Sequence, residues 1–394
     1  MKSFTENINN RLSVVDSLRG FAIVSIVLLH NVQRFNANGM RADFPGWISM
    51  SNKFISLLVH GLFSGKSYAV FALLFGLTFF IQNFNLENKG QQFRSRFIWR
   101  MCLLLMFGLI NTLFYAGEIL VLYSIVGLFL LPFHKMNNKA VLISALILLF
   151  QPFLWYQLVV ALIQGHSEAD ISLYDFYQNK MTIAIRGKSI INLMINNLIH
   201  GRIASLIWYW EVGRITQTLG LFLLGYLAGR KGIFSNSPEN QKFWVNILIY
   251  SSLIFVPLVF FKYNADIFFK SQITSNYLRL VFTQWSNIAF ASIMLSIFVF
   301  LYYKNIFKRI FDSFVPIGKM SLTNYIIQSI IGSGLYYGYG LSLYKYTGEF
   351  HSFLIGLFVV FIQYFYSQYW IIHHKRGPFE NLWHKLTWMG TGKK

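Results

Sequence analysis

The chain contains one cysteine and few acidic residues, and both shortages narrow its class. Cys102 alone excludes an intramolecular disulfide, and its place in an apolar run favours a small buried side chain. Asp and Glu number 14 against 34 Lys and Arg, and charged residues make up only 12% of 394. Soluble domains carry about 25%, so the composition indicates an integral membrane protein.

The net charge of +20 does not indicate nucleic acid, because the basic residues flank apolar stretches and no nucleic-acid motif is present. We expect anionic membrane lipids as partners instead. Phosphate-binding loops, dinucleotide-binding loops and HExxH motifs are also absent. His373 and His374 have no carboxylate or cysteine at ligand spacing, so no metal site is expected.

Ten apolar stretches are long enough to cross about 30 Å of hydrocarbon. Because only helices or closed barrels satisfy the backbone there, they predict an all-α, polytopic helical bundle of about ten transmembrane helices. A shorter, mixed segment at 47–63 predicts an additional interfacial or re-entrant helix. The predicted spans are 19–35, 66–85, 97–115, 118–133, 139–164, 213–229, 243–261, 277–303, 315–336 and 351–372.

The chain is expected to form a single transmembrane domain over 1–394. Its predicted parts are N-terminal spans (19–133), an extracytoplasmic surface segment (166–212), C-terminal spans (213–372) and a cytoplasmic amphipathic tail (373–394). No cleavage site follows the first apolar stretch, so it is interpreted as a retained span. Basic residues fall mostly in alternate loops, which predicts that both termini are cytoplasmic.

The first span carries two candidate functional residues, Arg19 near its cytoplasmic end and His30 about 16 Å deeper along the helix. Arg19 could bind an anionic phosphate ester, and a neutral His30 could accept a proton. The simpler interpretation is a helix anchor and a structural hydrogen bond between helices. Asp16 or Ser17 can cap this helix.

Two further charges are expected near the outer side. Lys66 starts the second span and is either a fixed cation near a substrate or a snorkelling anchor. Glu118, in the tight turn between the third and fourth spans, could pair with Lys66, accept a proton, or be a simple turn charge.

A polar stripe on the ninth span combines Ser321, Asn324, Tyr325 and Gln328 at helical spacing. Such a stripe either joins helices or lines a wet cavity. Lys319, at the cytoplasmic end of this span, could complete an anion site with Arg19.

Five segments, in this order, resemble the YeiB-like family of bacterial membrane proteins, the domain-of-unknown-function family 418. They are Asp16 to Ala22, Gly65 to Gly76, Arg94 to Leu120, Gly318 to Ser329 and Gly377 to Trp383. The first span also resembles the broader transmembrane acyltransferase group, in which an Arg and a His lie about ten residues apart, as Arg19 and His30 do.

The resemblance implies a bacterial inner-membrane acyltransferase that moves an acyl group from cytoplasmic acyl-CoA, such as acetyl-CoA, to an outer glycan or lipid-linked acceptor. His30 and Glu118 are then the candidate catalytic residues, and Arg19 and Lys319 the donor-binding residues. The candidate substrate-binding residues are Asp16, Asn31, Lys66, Asn324 and Gln328. The alternatives are a transporter of a small solute and a non-enzymatic membrane protein. In each case the chain could form homo-oligomers.

Overall fold

A computed structural model of the protein describes residues 13–37, 44–88, 90, 93–164, 173–269 and 271–389. Its regular structure over these ranges is helical, without a strand, which confirms the all-α prediction. The first ten helices are α1 (Ser13–Val32), α2 (Gly46–Phe63), α3 (Lys66–Glu87), α4 (Phe93–Thr112), α5 (Leu120–Leu128), α6 (Asn138–Leu149), α7 (Pro152–Gln164), α8 (Leu173–Arg186), α9 (Ile190–Asn196) and α10 (Arg202–Glu211). The others are α11 (Arg214–Lys231), α12 (Pro238–Tyr263), α13 (Ala265–Phe268), α14 (Gln272–Tyr303), α15 (Lys308–Lys319), α16 (Ser321–Tyr336), α17 (Glu349–His373) and α18 (Pro378–Trp388).

Helical stretches of membrane-spanning length and apolarity define a multi-pass membrane protein. Seven occur in the described ranges: Ser13–Val32, Gly46–Glu87, Asn138–Ile163, Ile190–Glu211, Pro238–Tyr263, Gln272–Tyr303 and Glu349–His373. All ten predicted spans coincide with helices, although the exact number of crossings stays a prediction. The side of the membrane on which the termini lie also stays a prediction.

Two of the predicted spans are interrupted. The stretch 139–164 divides at Gln151, which has a φ of 63° and separates α6 from α7. Pro152 then occupies the first position of α7, where its missing N–H costs nothing. The stretch 315–336 divides at Met320, between α15 and α16. Each break turns one long predicted helix into two shorter ones.

The predicted helix at 47–63 is present as α2. Its exposed apolar side chains include Trp47, Met50, Phe54 and Leu57, each more than 60% accessible. The opposite side packs Ile55 and Val59 against α1 and α17. Apolar side chains on both sides suit a helix that lies between protein and lipid.

Helix α1 lies at the centre of the bundle and contacts α15 at backbone distance. A Cβ added to Gly318 would lie 1.7 Å from the carbonyl oxygen of Asp16, and one added to Gly20 would lie 2.0 Å from that of Phe314. Small residues allow this approach between helices. The contact places Lys319 beside the start of α1.

The C-terminal helix α18 is held to the bundle by hydrogen bonds. The carboxylate of Glu380 accepts from the backbone N–H of Leu322 at 2.7 Å and from the Thr323 hydroxyl at 2.6 Å, and so caps α16. Burial raises the pKa of the Glu380 carboxyl, and the bonds from Thr323 act against that rise. Arg96 also donates to the carbonyl of Thr387 at 2.7 Å. The amphipathic tail thus packs against the helical bundle and is not only a membrane anchor.

We expect Gly318→Ala to destabilise the protein by about 3 kcal/mol, because the added methyl overlaps the Asp16 carbonyl and forces α1 and α15 apart. Thermal unfolding of the purified protein in detergent measures the effect. Gly334→Ala is the control, since a Cβ there meets nothing within 4 Å. Equal melting temperatures for the two variants would contradict the close contact.

Candidate functional site

A cavity of about 200 Å³ lies at the end of the bundle where α1 begins. We call it the cationic cavity, because Arg19, Arg100 and Lys319 all contribute to its wall. Its polar wall also includes Gln82, Ser321 and Glu380, whereas most of the remainder is aromatic or aliphatic.

The cations of this cavity come from three helices. Arg19 donates to the Asp16 carboxylate at 2.9 Å and to the Thr78 hydroxyl at 2.7 Å, which fixes its guanidinium. The Arg100 guanidinium lies 4.4 Å from the centroid of the Trp383 ring, and its buried Nε has no hydrogen-bond partner among the described residues. Guanidinium groups match the oxygens of phosphates and carboxylates, so the cavity is suited to an anion.

A second cavity, of about 350 Å³, contains His30 and is called the histidine cavity. Its wall is rich in aromatic side chains and includes the cation Arg214. The Arg214 guanidinium lies 4.3 Å from the centroid of Tyr68 and donates to Gln217 at 3.0 Å. The other polar and aromatic residues of this wall include Ser67, Tyr115, Tyr174, Gln178, Ser205, Trp208 and Tyr209.

The His30 imidazole is held by rings rather than by hydrogen bonds. Its centroid lies 4.9 Å from that of Tyr115 and 5.4 Å from that of Phe35. Its Nδ1 is buried without a partner in the described part of the chain. The structural hydrogen bond between helices that was considered for His30 is therefore not made by Nδ1. His30 lines the cavity, and a neutral imidazole in such a position can serve as a base.

A left-handed turn directly after α1 shapes the histidine cavity. Arg34, Phe35 and Asn36 have φ values of 50°, 51° and 64°, a conformation that is costly for residues with a Cβ. The turn places Phe35 in the core, where its ring occupies the space left by Gly332. It also places Asn36 in the cavity wall. Such backbone strain is concentrated at functional sites.

The segment predicted as a surface element forms part of this site. Helices α8 and α10 lie over the histidine cavity and supply Tyr174, Gln178, Trp208 and Tyr209 to its wall. Trp208 and Tyr209 thus face this cavity, whereas Trp210 is 55% exposed. We call residues 173–211 the cap.

Glu118 is fully buried and joins the cap to the bundle. Its carboxylate accepts from Arg202 at 2.5 Å and from the backbone N–H of Leu120 at 2.6 Å. It lines neither cavity, and its partner is Arg202 rather than Lys66. This arrangement leaves Glu118 a structural role, and the catalytic role predicted for it has no support from its position.

The remaining predicted residues divide between packing and a separate site. Asn31 donates to the Val27 carbonyl at 2.8 Å and accepts from Tyr336, so both ends of its amide are used within the bundle. Asn324 donates to Ser367 at 2.9 Å and thereby joins α16 to α17. Gln328 is buried outside both cavities, and its amide has no partner among the described residues. Lys66 lines a third cavity.

Arg100 and Arg214 are the functional candidates that sequence reasoning missed. Both lie next to aromatic residues at the ends of apolar helices, so they were interpreted as topology signals. For Arg100 the useful signal was its depth, because it is the eighth residue of α4 and lies four residues after Arg96, on the same helical face. Ionisable residues within apolar spans are functional candidates by default.

The two cavities meet at a wall of three aromatic residues. Phe71, Tyr123 and Tyr325 line both of them. The Tyr325 hydroxyl accepts from the backbone N–H of Ile119 at 3.1 Å, and the Tyr123 hydroxyl donates to the Tyr68 carbonyl at 3.2 Å. The site is thus a cationic chamber and a histidine chamber placed end to end along α1.

Its helices and cavities make the protein a multi-pass membrane protein with a polar site inside the bundle. The sequence profile of a family described as "Protein of unknown function (DUF418)" matches residues 228–390. The chain is 27% identical to "Uncharacterized protein YxaH" of Bacillus subtilis, over 98% of this chain and 97% of that protein. It is 25% identical to "Uncharacterized protein YeiB" of Escherichia coli, over 96% of each. No solved structure matches the chain.

These matches support the resemblance to the YeiB-like DUF418 family recognised from the motifs: the C-terminal part of the chain matches the family profile, and nearly the whole chain is similar to YxaH and YeiB. The similarity to the relatives covers nearly the whole chain, including both cavities. The relatives' descriptions assign no activity, so function is argued below from the site.

We expect that breaking the Glu118–Arg202 pair on one side costs about 3–5 kcal/mol, because an uncompensated charge is left buried. Glu118→Gln and Arg202→Met, singly and combined, form a double-mutant cycle followed by thermal unfolding. The double variant should be more stable than the sum of the single effects predicts.

The exposed pair Arg279–Asp266 provides the control cycle. Its coupling should be below about 1 kcal/mol. Equal coupling energies in the two cycles would show that the Glu118–Arg202 pair does not hold the cap against the bundle.

Proposed function

We propose that the protein is a membrane acyltransferase that uses acyl-CoA, such as acetyl-CoA, from the cytoplasm and acylates an acceptor at the outer side of the bacterial inner membrane. The observation that carries the proposal is the arrangement of the two cavities. A chamber with three cations and a chamber with an unused histidine lie at successive levels of α1 and share one wall. The proposal includes cytoplasmic termini, which place the cationic cavity on the cytoplasmic side.

The cationic cavity suits the phosphates of the donor. Arg19, Arg100 and Lys319 outnumber the acidic Glu380 in its wall, and neither Arg100 nor Lys319 has an ion-pair partner in the described ranges. With the phosphates held there, the pantetheine arm extends along α1 toward His30. Phe71, Tyr123 and Tyr325 then surround the thioester at the junction of the cavities.

His30 is proposed to act as the general base. It takes the proton from an acceptor hydroxyl or amine, the freed electron pair attacks the thioester carbonyl, and the C–S bond breaks. The imidazolium returns its proton to the departing CoA thiolate, so the histidine ends neutral. Arg214, in the same wall, supplies positive charge near the oxygen that becomes negative during attack.

A transporter of a small solute is the second candidate. The feature in its favour is that the two cavities approach each other from opposite ends of one helix. A transporter would need the shared aromatic wall to open, and it would release an intact solute. An acyltransferase needs the wall to admit only the acyl-bearing arm to the histidine cavity, and it releases free CoA.

We expect the purified protein in nanodiscs to bind acetyl-CoA saturably, and Arg100→Met to weaken that binding at least about tenfold. The reason is the loss of one charge-assisted bond to phosphate. Isothermal titration with acetyl-CoA measures the affinity. Arg279→Met is the control, because this exposed arginine lies outside both cavities.

The variant His30→Gln separates binding from chemistry. It should bind acetyl-CoA like the parent protein and lose release of free CoA thiol in the presence of membrane acceptors. No binding by the folded parent protein would refute the acyltransferase and favour the transporter. Unchanged thiol release in His30→Gln would refute the role of His30.

A further inference from the structure

The third cavity, of about 850 Å³, lies between α2, the C-terminal end of α12, the middle of α14 and the chain before α17. We call it the basic groove. Its charged wall residues are Arg34, Lys53, Lys66, Lys262 and Glu349. Among the described residues, four cations therefore face one carboxylate around this cavity.

The lysines of the groove have no carboxylate partner in the part of the chain that the structure describes. Arg34 has the only acidic group of this wall near it, since its Nη1 lies 3.9 Å from Glu349. Within the described ranges, Lys53, Lys66 and Lys262 form no ion pair. Lys66 is only 9% exposed, and its Nζ donates to the His60 carbonyl at 3.3 Å.

Lys66 and Lys262 come from different helices, α3 and α12, and line the same cavity, so their like charges repel each other. A buried cation beside a like charge is expensive unless an anion or water compensates it. The fold retains the pair in a cavity large enough for a ligand. An anion bound between the two ammonium groups would remove the repulsion.

The neutral polar residues of the groove indicate which kind of anion it can bind. Ser56, Ser64, Thr283, Ser286 and Asn287 provide hydroxyl and amide donors beside the lysines. A group with several acceptor oxygens and a full negative charge uses both kinds of donor at once, as a phosphate ester does. Lysine ammonium groups are common phosphate ligands.

The groove adjoins the histidine cavity and also the lipid-facing surface. Ser64 lines both cavities, and the next residue, Gly65, packs against Asn287 of the groove. Leu57 and Tyr263 lie in the groove wall and are 75% and 71% exposed. A ligand with a phosphate and an apolar tail can thus keep its tail at the protein surface while the phosphate meets the lysines.

We infer that the basic groove binds the phosphate ester of the acceptor, between Lys66 and Lys262, and presents the acceptor to the histidine cavity. The phosphate belongs to the headgroup of an anionic lipid or to a soluble phosphate-bearing compound. The presentation step rests on the proposed acyltransferase function. Phosphate binding does not, because it requires only the groove.

The test measures phosphate binding in the full-length protein without acyl-CoA. Native mass spectrometry in detergent follows titrations with phosphatidylglycerol and with phosphatidylcholine, which lacks net charge, and glycerol 3-phosphate is the soluble competitor. The variants are Lys66→Gln and Lys262→Gln. Lys188→Gln, an exposed lysine of the cap outside the groove, is the matched control.

The expected result is saturable binding of phosphatidylglycerol that weakens about tenfold in each groove variant and is unchanged in Lys188→Gln. Displacement by glycerol 3-phosphate would identify a soluble phosphate compound as a ligand, and its failure would identify the lipid headgroup. Lys262 is half-buried at a helix end, so we expect Lys262→Gln to fold. This variant therefore tests the inference even if Lys66→Gln does not fold.

Equal binding by the parent and both folded groove variants would overturn the inference, as would equal binding of phosphatidylcholine. Because acetyl-CoA is absent from these titrations, the groove and the acyltransferase proposal can fail separately. For example, Arg100→Met could lose acetyl-CoA binding and still bind lipid like the parent protein. That result would bear on the cationic cavity and leave the groove inference unchanged.

Discussion

The buried ion pair between Glu118 and Arg202 holds the cap against the membrane bundle, and the histidine cavity depends on that contact. The turn between α4 and α5 exposes backbone carbonyls inside the protein, and such groups need partners where water is excluded. Cap side chains supply them: Arg202 and Ser205 both donate to the Ala116 carbonyl, and Tyr209 donates to that of Glu118. One salt bridge with its hydrogen bonds therefore closes the cavity over His30.

Much of the fold could be predicted because membrane helices follow from length and apolarity. The rise of a helix also placed Arg19 and His30 at different depths, and the position of Lys319 at the cytoplasmic end of its span put it near Arg19. The helix break at Gln151 carried a signal that was not used, since the residue before a proline is disfavoured in the α conformation. Pro152 marks the start of a new helix.

The partners of polar residues could not be predicted, since they depend on packing between distant segments. Glu118 and Arg202 are 84 residues apart, and nothing in either local sequence selects one for the other. The stripe on α16 shows the same limit. Ser321 and Tyr325 turn toward the cavities, whereas Asn324 turns toward α17. Helical spacing places these residues on one side of a helix but does not say which neighbour each one meets.

Positive charge is distributed along the bundle in a consistent way. Each of the three cavities contains at least one Arg or Lys next to an aromatic or hydroxyl-bearing residue, and acidic residues are few or already paired. Aromatic faces lower the cost of keeping a guanidinium away from water, as Trp383 does for Arg100 and Tyr68 for Arg214. The protein thus provides binding positions for negatively charged ligands at several depths.

The aromatic wall between the cationic and histidine cavities has a consequence for the energy supply of the cell. A membrane potential of 100 mV is worth about 2.3 kcal/mol for each elementary charge that crosses, and a continuous wet path would dissipate it. Phe71, Tyr123 and Tyr325 keep the two chambers separate, so the protein can hold polar groups across much of the membrane without becoming an ion leak. Electrical insulation is then a constraint on these three positions.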